Sequence, residues 1–270
     1  MMTQSSPMIE VVDLVKSFGD HTGVDTVSFS VNQGEVFGLL GPNGAGKSTI
    51  IKILTTLLPL TSGRASVVGY DVTKQAMSVR RRIGYVPQAL SADGTLTGYE
   101  NLMVFAKLYD LPHSTRDSKV RHVLAIMGLE DAADKMVRTY SGGMIRRLEV
   151  GQAMLHQPPV LFLDEPTIGL DPIARKAVWD HLSQLRKQTG MTICLTTHYM
   201  EEADSLCDRI AILHLGHIMA LGSPTELKVT SGLTDATLDQ VFAYYTGNTL
   251  ESGGNYRDTA RTRRTARRLG

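Results

Sequence analysis

A glycine-rich segment between an apolar strand and an apolar helix constrains this chain more than any other feature. The apolar run Val36–Leu40 before it predicts a buried strand, and Thr49–Leu58 after it carries isoleucines and leucines at the spacing of a buried helix. The segment matches the phosphate-binding pattern G-x-x-x-x-G-K-[ST] and consists of Gly41, Pro42, Asn43, Gly44, Ala45, Gly46, Lys47 and Ser48. A strand, this loop and a helix in that order predict an α/β fold that binds a nucleoside triphosphate.

The residue types of the loop explain its chemistry. Glycines let the backbone curl until successive N–H groups point at phosphate oxygens, and the following helix presents its positive N-terminus to the same anion. The Lys47 ammonium adds a charge for the β- and γ-phosphates, and the Ser48 hydroxyl is a candidate ligand of Mg²⁺. Thr49 extends the candidate nucleotide-binding stretch. We therefore expect ATP and Mg²⁺ as cofactors.

Composition excludes several classes of protein. The 270 residues suffice for one large α/β domain or two small ones, and the net charge of +1 predicts no nucleic-acid partner. The two cysteines, Cys194 and Cys207, imply no disulfide framework. Met1–Val12 lacks the pattern of a signal peptide, and no run approaches the roughly 18 apolar residues of a membrane span. Work at a membrane would therefore require another chain to cross it.

The remaining pattern predicts a covered, mostly parallel core sheet with an antiparallel β region before it. A helical region follows over about residues 98–155, and a late helix is expected with Asp235 as its cap and Leu238, Val241, Phe242 and Tyr245 as its packed face. The strands are predicted at Ile9–Val15, Val24–Val31, Val36–Leu40, Ala65–Val68, Arg82–Pro87, Val160–Leu163, Thr192–Thr197, Arg209–Leu215 and His217–Leu221. The last twenty residues, Glu251–Gly270, contain six arginines and two acids, and they predict a basic, disordered tail.

Two carboxylates follow the apolar strand Val160–Leu163. Asp164 suits the role of a Mg²⁺ ligand at a strand end, and Glu165 suits that of a general base that activates water. On their own, two solvated acids that cap a turn would be an equally good interpretation. The phosphate-binding loop makes the catalytic interpretation the stronger one.

Three more elements complete the pattern. Ser141, Gly142 and Gly143 open a helix and predict a second anion-binding nest. His198 ends the strand Thr192–Thr197, and the carboxyl ends of parallel strands are where ligands bind. Gln88 follows another strand end and can reach the metal or the water, which makes it a candidate catalytic and metal-binding residue.

Taken in order, these motifs resemble the ATP-binding-cassette (ABC) ATPases over about residues 8–250. Phe18 matches the aromatic residue that stacks on adenine, and the usual tyrosine hydroxyl is missing there. The signature ends in Met144 rather than glutamine, which keeps the glycine nest and loses a hydrogen-bonding side chain. The matching segments are Gly41–Thr49, Gln88, Tyr140–Met144, Val160–Glu165, Gly169–Asp171 and His198.

The resemblance implies a mechanism and partners. Two copies stack head to tail, and Ser141, Gly142 and Gly143 of each complete the ATP site of the other. Glu165 and His198 position the water and the γ-phosphate, and Gln88 connects the site to an integral membrane permease. The cassette is expected over residues 1–250, attached peripherally to the cytoplasmic face of the cell membrane.

The segment Thr196–Asp204 and the Tyr-Ser-Gly-Gly-Met signature look like the exporter subfamily that includes the daunorubicin/doxorubicin-resistance ATPases. Substrates of the drug, lipid, polysaccharide and peptide classes remain open. An importer subunit and a non-transport assembly ATPase are the alternatives. A chromosome-associated ATPase is disfavoured, because only about fifty residues separate Gln88 from Ser141.

Overall fold

The computed structural model describes residues 6–232 and 236–247. Within these ranges the strands are β1 (Ile9–Phe18), β2 (His21–Val31), β3 (Val36–Leu40), β4 (Ser62–Val67), β5 (Tyr70–Asp71), β6 (Ile83–Val86), β7 (Val160–Asp164), β8 (Thr192–Thr197), β9 (Arg209–His214) and β10 (His217–Gly222). The helices are α1 (Lys47–Leu54), α2 (Ala76–Arg80), α3 (Gly98–Leu108), α4 (His113–Ile126), α5 (Gly142–Met154), α6 (Pro172–Thr189), α7 (Met200–Leu206), α8 (Pro224–Thr230) and α9 (Leu238–Thr246).

A six-stranded core sheet carries the elements that position the site. Its order is β10-β9-β3-β8-β7-β6, and every neighbouring pair is parallel except β10 with β9. Every residue of β3, β7 and β8 is buried, because structure covers both faces of the sheet. The carboxyl ends of these three strands therefore meet at one edge, where parallel α/β sheets bind their ligands.

A second sheet, antiparallel and of order β2-β1-β4-β5, packs against the core sheet. The two sheets and α1 enclose one of two apolar cores. Phe29 of β2 stacks on Phe37 of β3 with ring centres 5.1 Å apart, which fixes the face-to-face approach of the two sheets. Gly216 connects the start of β2 to the phosphate-binding loop, because its carbonyl accepts from the amide of Asp25 and its amide donates to the carbonyl of Ala45.

The other apolar core lies between the opposite face of the core sheet and the helices α3–α7 and α9. A capping box begins α3, in which the Thr97 hydroxyl accepts from the amide of Glu100 and the Glu100 carboxylate accepts from the amide of Thr97. Helices α3, α4 and α5 span residues 98–154, as the sequence predicts for the helical region. The extent of the whole cassette, residues 1–250, stays a prediction.

One helix is shorter than the sequence pattern indicates. The apolar spacing predicts a helix through Leu58, but α1 ends at Leu54. Thr56 has a left-handed backbone with φ of 62°, and the amides of Leu57 and Leu58 both donate to the carbonyl of Lys52. Leu57 is 60% exposed and contributes little to the core. The prediction was wrong there because apolar spacing continued past the turn that ends the helix.

The late helix α9 docks as predicted, with Leu238, Val241 and Phe242 buried. The predicted cap, Asp235, lies outside the described residues, and Thr237 caps the helix in a box with Gln240. The predicted basic tail at residues 251–270 also lies outside them. No helix in the described ranges is both long enough and apolar enough to cross a bilayer.

The packing of α9 can be tested by paired truncations on its two faces. Phe242→Ala removes a ring that is 1% exposed, and we expect a loss of about 3–5 kcal/mol of unfolding free energy. That loss corresponds to a melting temperature lower by roughly 6 °C or more. Tyr244→Ala, on the exposed face at 59%, should change the melting temperature little. Equal melting temperatures for the two variants in calorimetry would contradict the docking.

Candidate nucleotide-binding and hydrolysis site

The glycine-rich loop connects the end of β3 to the start of α1. Gly44 and Gly46 have φ of 83° and 101°, a left-handed backbone that side chains disfavour. A Cβ at Gly46 would also lie 2.7 Å from the carbonyl oxygen of Gly23. The loop therefore needs glycine at this position for two independent reasons. Its amides precede the N-terminus of α1, an arrangement that attracts phosphate.

Lys47 is buried at the first position of α1. Its ammonium donates hydrogen bonds to the carbonyls of Gly41 at 2.7 Å and Pro42 at 3.1 Å. The same ammonium forms an ion pair with Glu165 Oε1 at 3.0 Å. The Lys47 ammonium thus lies against the first two residues of the loop and also contacts the predicted catalytic carboxylate.

A cavity of about 380 Å³ lies over the loop and brings most predicted nucleotide-binding residues together. Phe18, the last residue of β1, lines this cavity and is 47% exposed, so part of its ring is accessible to a base. Gln88 and Glu165 also line it. The full lining is Phe18, His21, Gly23, Asn43, Gly44, Ala45, Gly46, Lys47, Ser48, Thr49, Gln88 and Glu165. A larger cavity of about 480 Å³ between α4 and the end of α6 contains no predicted site residue.

Asp164 links the loop to the strand ends. Its Oδ1 accepts a hydrogen bond from the Ser48 hydroxyl at 2.8 Å and another from the Thr196 hydroxyl at 2.7 Å. A hydroxyl beside a carboxylate supplies the hard oxygen ligands that Mg²⁺ prefers. The described residues contain no cluster of three or more His, Cys, Asp or Glu that could hold a metal. The donors present therefore fit a cation that takes its other ligands from phosphate and water.

Glu165 lies directly after β7 in a left-handed conformation, with φ of 50°. Its amide donates to the Thr196 hydroxyl at 2.8 Å, and His198 Nδ1 lies 2.5 Å from Glu165 Oε2. Burial pushes the pKa of Glu165 up, but the contact with His198 and the charge of Lys47 outweigh that effect, and the pKa lies below its ordinary value. The carboxyl is therefore ionised at neutral pH.

The loop after β6 is anchored by a buried ion pair on α5. Arg146 contacts Glu149 at 3.0 Å and donates to the carbonyls of Pro87 at 2.8 Å and Gln88 at 2.9 Å. Glu149 accepts hydrogen bonds from the amides of Ser91 and Ala92. The backbone around Gln88 is thus tied to α5, and Gln88 lines the cavity over the phosphate-binding loop.

The second glycine nest lies elsewhere on the molecule. Ser141 caps α5, and its hydroxyl accepts from the amide of Met144 at 3.3 Å. Gly142 packs near Leu170, since a Cβ on it would lie 2.9 Å from the Leu170 Cδ2. None of Ser141, Gly142 and Gly143 lines the cavity over the phosphate-binding loop. The structure therefore separates the two predicted halves of the nucleotide site.

Comparison with known proteins decides the family. The sequence profile described as ABC transporter matches residues 24–168. The linearmycin resistance ATP-binding protein LnrL of Bacillus subtilis is 44% identical over 220 residues, which cover 82% of this chain and 70% of that protein. The chain belongs to the ABC transporter family.

Two further comparisons support this ABC assignment. The daunorubicin/doxorubicin resistance ATP-binding protein DrrA of Streptomyces peucetius is 44% identical over 232 residues, covering 86% of this chain and 70% of that protein. A solved structure described as the ATP binding subunit of an ABC transporter superposes with a TM-score of 0.77 at 32% identity, covering 88% of this chain and 99% of the other. The predicted family, its subfamily resemblance and the fold class are confirmed, and this ABC protein is an ATP-binding ATPase.

Sequence reasoning missed three contributors to the ABC site. His21 and Gly23 line the cavity because the β1–β2 turn reaches it, and neither belongs to a local motif. Thr196 joins Asp164 to the amide of Glu165, with its hydroxyl donating to one and accepting from the other. A buried polar residue near the end of an apolar strand was the available signal for Thr196.

The role of Lys47 can be tested by its removal. Lys47→Ala deletes the ammonium that neutralises phosphate charge, and we expect affinity for ATP to fall at least about tenfold. Lys52→Ala changes an exposed lysine on the same helix and serves as the matched control. Binding of a fluorescent ATP analogue measures both. Unchanged affinity in Lys47→Ala would remove the lysine from the site.

Proposed function

We propose that this chain is the ATP-hydrolysing subunit of an exporter, and that it works as a pair of copies beneath a separate integral membrane permease. The two relatives named above carry resistance to linearmycin and to daunorubicin/doxorubicin in their names, which supports export. The cargo belongs to the drug, lipid or polysaccharide class. The protein would lie peripherally on the cytoplasmic face of the cell membrane.

The separation of the two anion-binding elements carries the proposal of a pair. Lys47 and the loop amides offer one side of a triphosphate site, and Ser141 with the amides of Gly142 and Gly143 offers another anion nest at the N-terminus of α5. Within the described chain these elements do not share a cavity. A second copy would place its nest over the phosphate-binding loop of the first and complete both sites. ATP then binds the paired state better than the separated state and shifts the equilibrium toward it.

The contacts of Glu165 suggest how hydrolysis is controlled. Lys47 occupies Oε1 and His198 contacts Oε2, so both carboxylate oxygens are engaged. A γ-phosphate that competes for the Lys47 ammonium would release Oε1 to accept a proton from water. The water oxygen would then attack the γ-phosphorus, the bond to the bridging oxygen would break, and ADP and phosphate would result. His198 keeps the carboxylate oriented during this step.

The metal-binding roles follow from the same geometry. Ser48 and Asp164, which are hydrogen-bonded to each other, would hold Mg²⁺ through their oxygens, and Gln88 lines the same cavity as Ser48. When bound, the cation supplies charge that stabilises the departing phosphate oxygens. Because Arg146 ties the Gln88 backbone to α5, motion of the helical region would move Gln88 relative to the nucleotide. This link is the route by which a permease could sense ATP.

The general base assignment predicts a trapped state. Glu165→Gln keeps the size of the side chain and removes its basicity, so we expect ATP binding to persist while turnover falls about a hundredfold or more. Gel filtration with ATP should then show a stable dimer, which the unsubstituted protein forms only transiently. Glu201→Gln, at an exposed acid on α7, is the control. Turnover at the unsubstituted rate in Glu165→Gln would overturn the assignment.

The proposed partner calls for a separate measurement. The tagged chain should co-purify from detergent-solubilised membranes of its own host with one integral protein, in a ratio of two ATPase copies to one permease complex. Mass spectrometry identifies the partner, and transport by reconstituted vesicles shows its direction. Uptake instead of extrusion would favour an importer, and recovery with soluble proteins alone would favour an assembly ATPase.

A further inference from the structure

Helix α6 contacts the segment around His198 through two of its side chains. Arg175 and Trp179 lie four residues apart on α6, and therefore on one face of it. The guanidinium carbon of Arg175 lies 3.9 Å from the centre of the Tyr199 ring. The Trp179 indole N–H donates to Glu202 Oε1 at 2.8 Å. Tyr199 directly follows His198 and precedes α7, and Glu202 lies in the first turn of α7.

Tyr199 in turn packs on the imidazole of His198. The two ring centres are 4.1 Å apart and the rings are tilted by 39°. Tyr199 is the residue before α7, and its amide donates to the Thr197 hydroxyl at 2.9 Å, so its backbone is fixed. Since His198 Nδ1 lies 2.5 Å from Glu165 Oε2, the contacts run without a gap from α6 to the predicted base.

Glu202 prevents α7 from shifting independently of α6. Its side chain is fully buried, and its Oε1 accepts from the Thr167 hydroxyl at 2.9 Å as well as from Trp179. Thr167 lies two residues after Glu165, so this bridge joins the loop after β7, α6 and α7. A buried acceptor that serves two donors is costly to displace. These hydrogen bonds therefore hold α7, and with it the Tyr199 ring, in place against His198.

We infer that Tyr199 and Arg175 are positioning residues for ATP hydrolysis, which hold the His198 imidazole against Glu165 and make that contact depend on the place of α6. A partly exposed imidazole can otherwise rotate away from the carboxylate, and aromatic and cation–π contacts restrict that rotation. α6 begins directly after Asp171, whose side chain caps it by accepting from the amides of Ile173 and Ala174. A displacement of the loop before α6 would thus move Arg175, and the contacts of Tyr199 and His198 would transmit that movement to Glu165. The inference rests on the proposed role of Glu165 and His198 in hydrolysis.

The decisive experiment compares Tyr199→Leu with Tyr199→Phe in the full chain. Tyr199→Leu removes the ring, and we expect kcat for ATP hydrolysis to fall roughly two- to tenfold while KM for ATP and the melting temperature stay unchanged. Tyr199→Phe keeps the ring and should retain kcat. Retained kcat in Tyr199→Leu, an equal loss in Tyr199→Phe, or a loss that follows the melting temperature across the variants would overturn the inference.

A double-mutant cycle tests the path through α6. Arg175→Gln should lower kcat, and adding it to Tyr199→Leu should lower kcat little further, because both act through one contact with His198. Lys176→Gln, next to Arg175 on the exposed face of α6, is the matched control. Multiplicative losses in the double variant would show that Arg175 acts independently and would refute the path.

The same assays separate this inference from the proposed function. If the unsubstituted chain hydrolyses ATP, Glu165→Gln does not, and Tyr199→Leu is normal, the positioning role alone is wrong. If Glu165→Gln turns over ATP at the unsubstituted rate, the proposed role of Glu165 is wrong. Holding His198 against Glu165 would then not contribute to hydrolysis, and the inference would fail together with the proposed function.

Discussion

One carboxylate oxygen, Asp164 Oδ1, aligns the whole site. It accepts from Ser48 at the start of α1 and from Thr196 near the end of β8, and the Thr196 hydroxyl accepts in turn from the amide of Glu165. These bonds join the phosphate-binding loop to the ends of two core strands. Each group is buried or nearly so, and a missing partner would leave a desolvated polar atom. The parallel order of β3, β8 and β7 is what brings the three elements to one edge.

What the sequence could predict was local. The glycine loop, β3 and the acids after β7 are encoded within a few residues each, so pattern and spacing suffice for them. The role of Thr196 was not predicted, because it depends on a hydrogen bond from an amide 31 residues away. The hydrogen bond between Glu149 and Ser91 was not predicted either, since 58 residues separate the two. The end of α1 was missed because apolar spacing continued to Leu58, whereas the backbone turned at Thr56. The spacing of apolar residues does not indicate which distant residues form hydrogen bonds or where a helix ends.

Helix α5 contributes both to the second glycine nest and to the anchoring of the loop after β6. Its N-terminus forms the Ser141 nest, and Arg146 and Glu149, within the next two turns or so, hold the loop that carries Gln88. The departure of the signature at Met144 leaves the helix cap intact. The cap uses the Met144 amide, which any residue but proline supplies, and the side chain packs against the apolar core. Tyr140, which precedes the nest, is held by its buried hydroxyl, which donates to the carbonyl of Ala132 at 2.6 Å.

The left-handed backbone at Glu165 has a consequence for biogenesis. Such a conformation costs about 1–2 kcal/mol for a residue with a Cβ, so the isolated segment would seldom adopt it. Thr196, which accepts from the Glu165 amide, and His198, which contacts the Glu165 carboxylate, leave the ribosome 31 and 33 residues later. Residues 41–48 emerge more than a hundred residues before either of them. The loop is nevertheless completed no earlier than the acid, because β3 pairs with β8 and β9 and the amide of Gly41 donates to the carbonyl of Thr197. A nascent chain therefore gains its phosphate-binding loop and its oriented acid together, once the late strands have been synthesised.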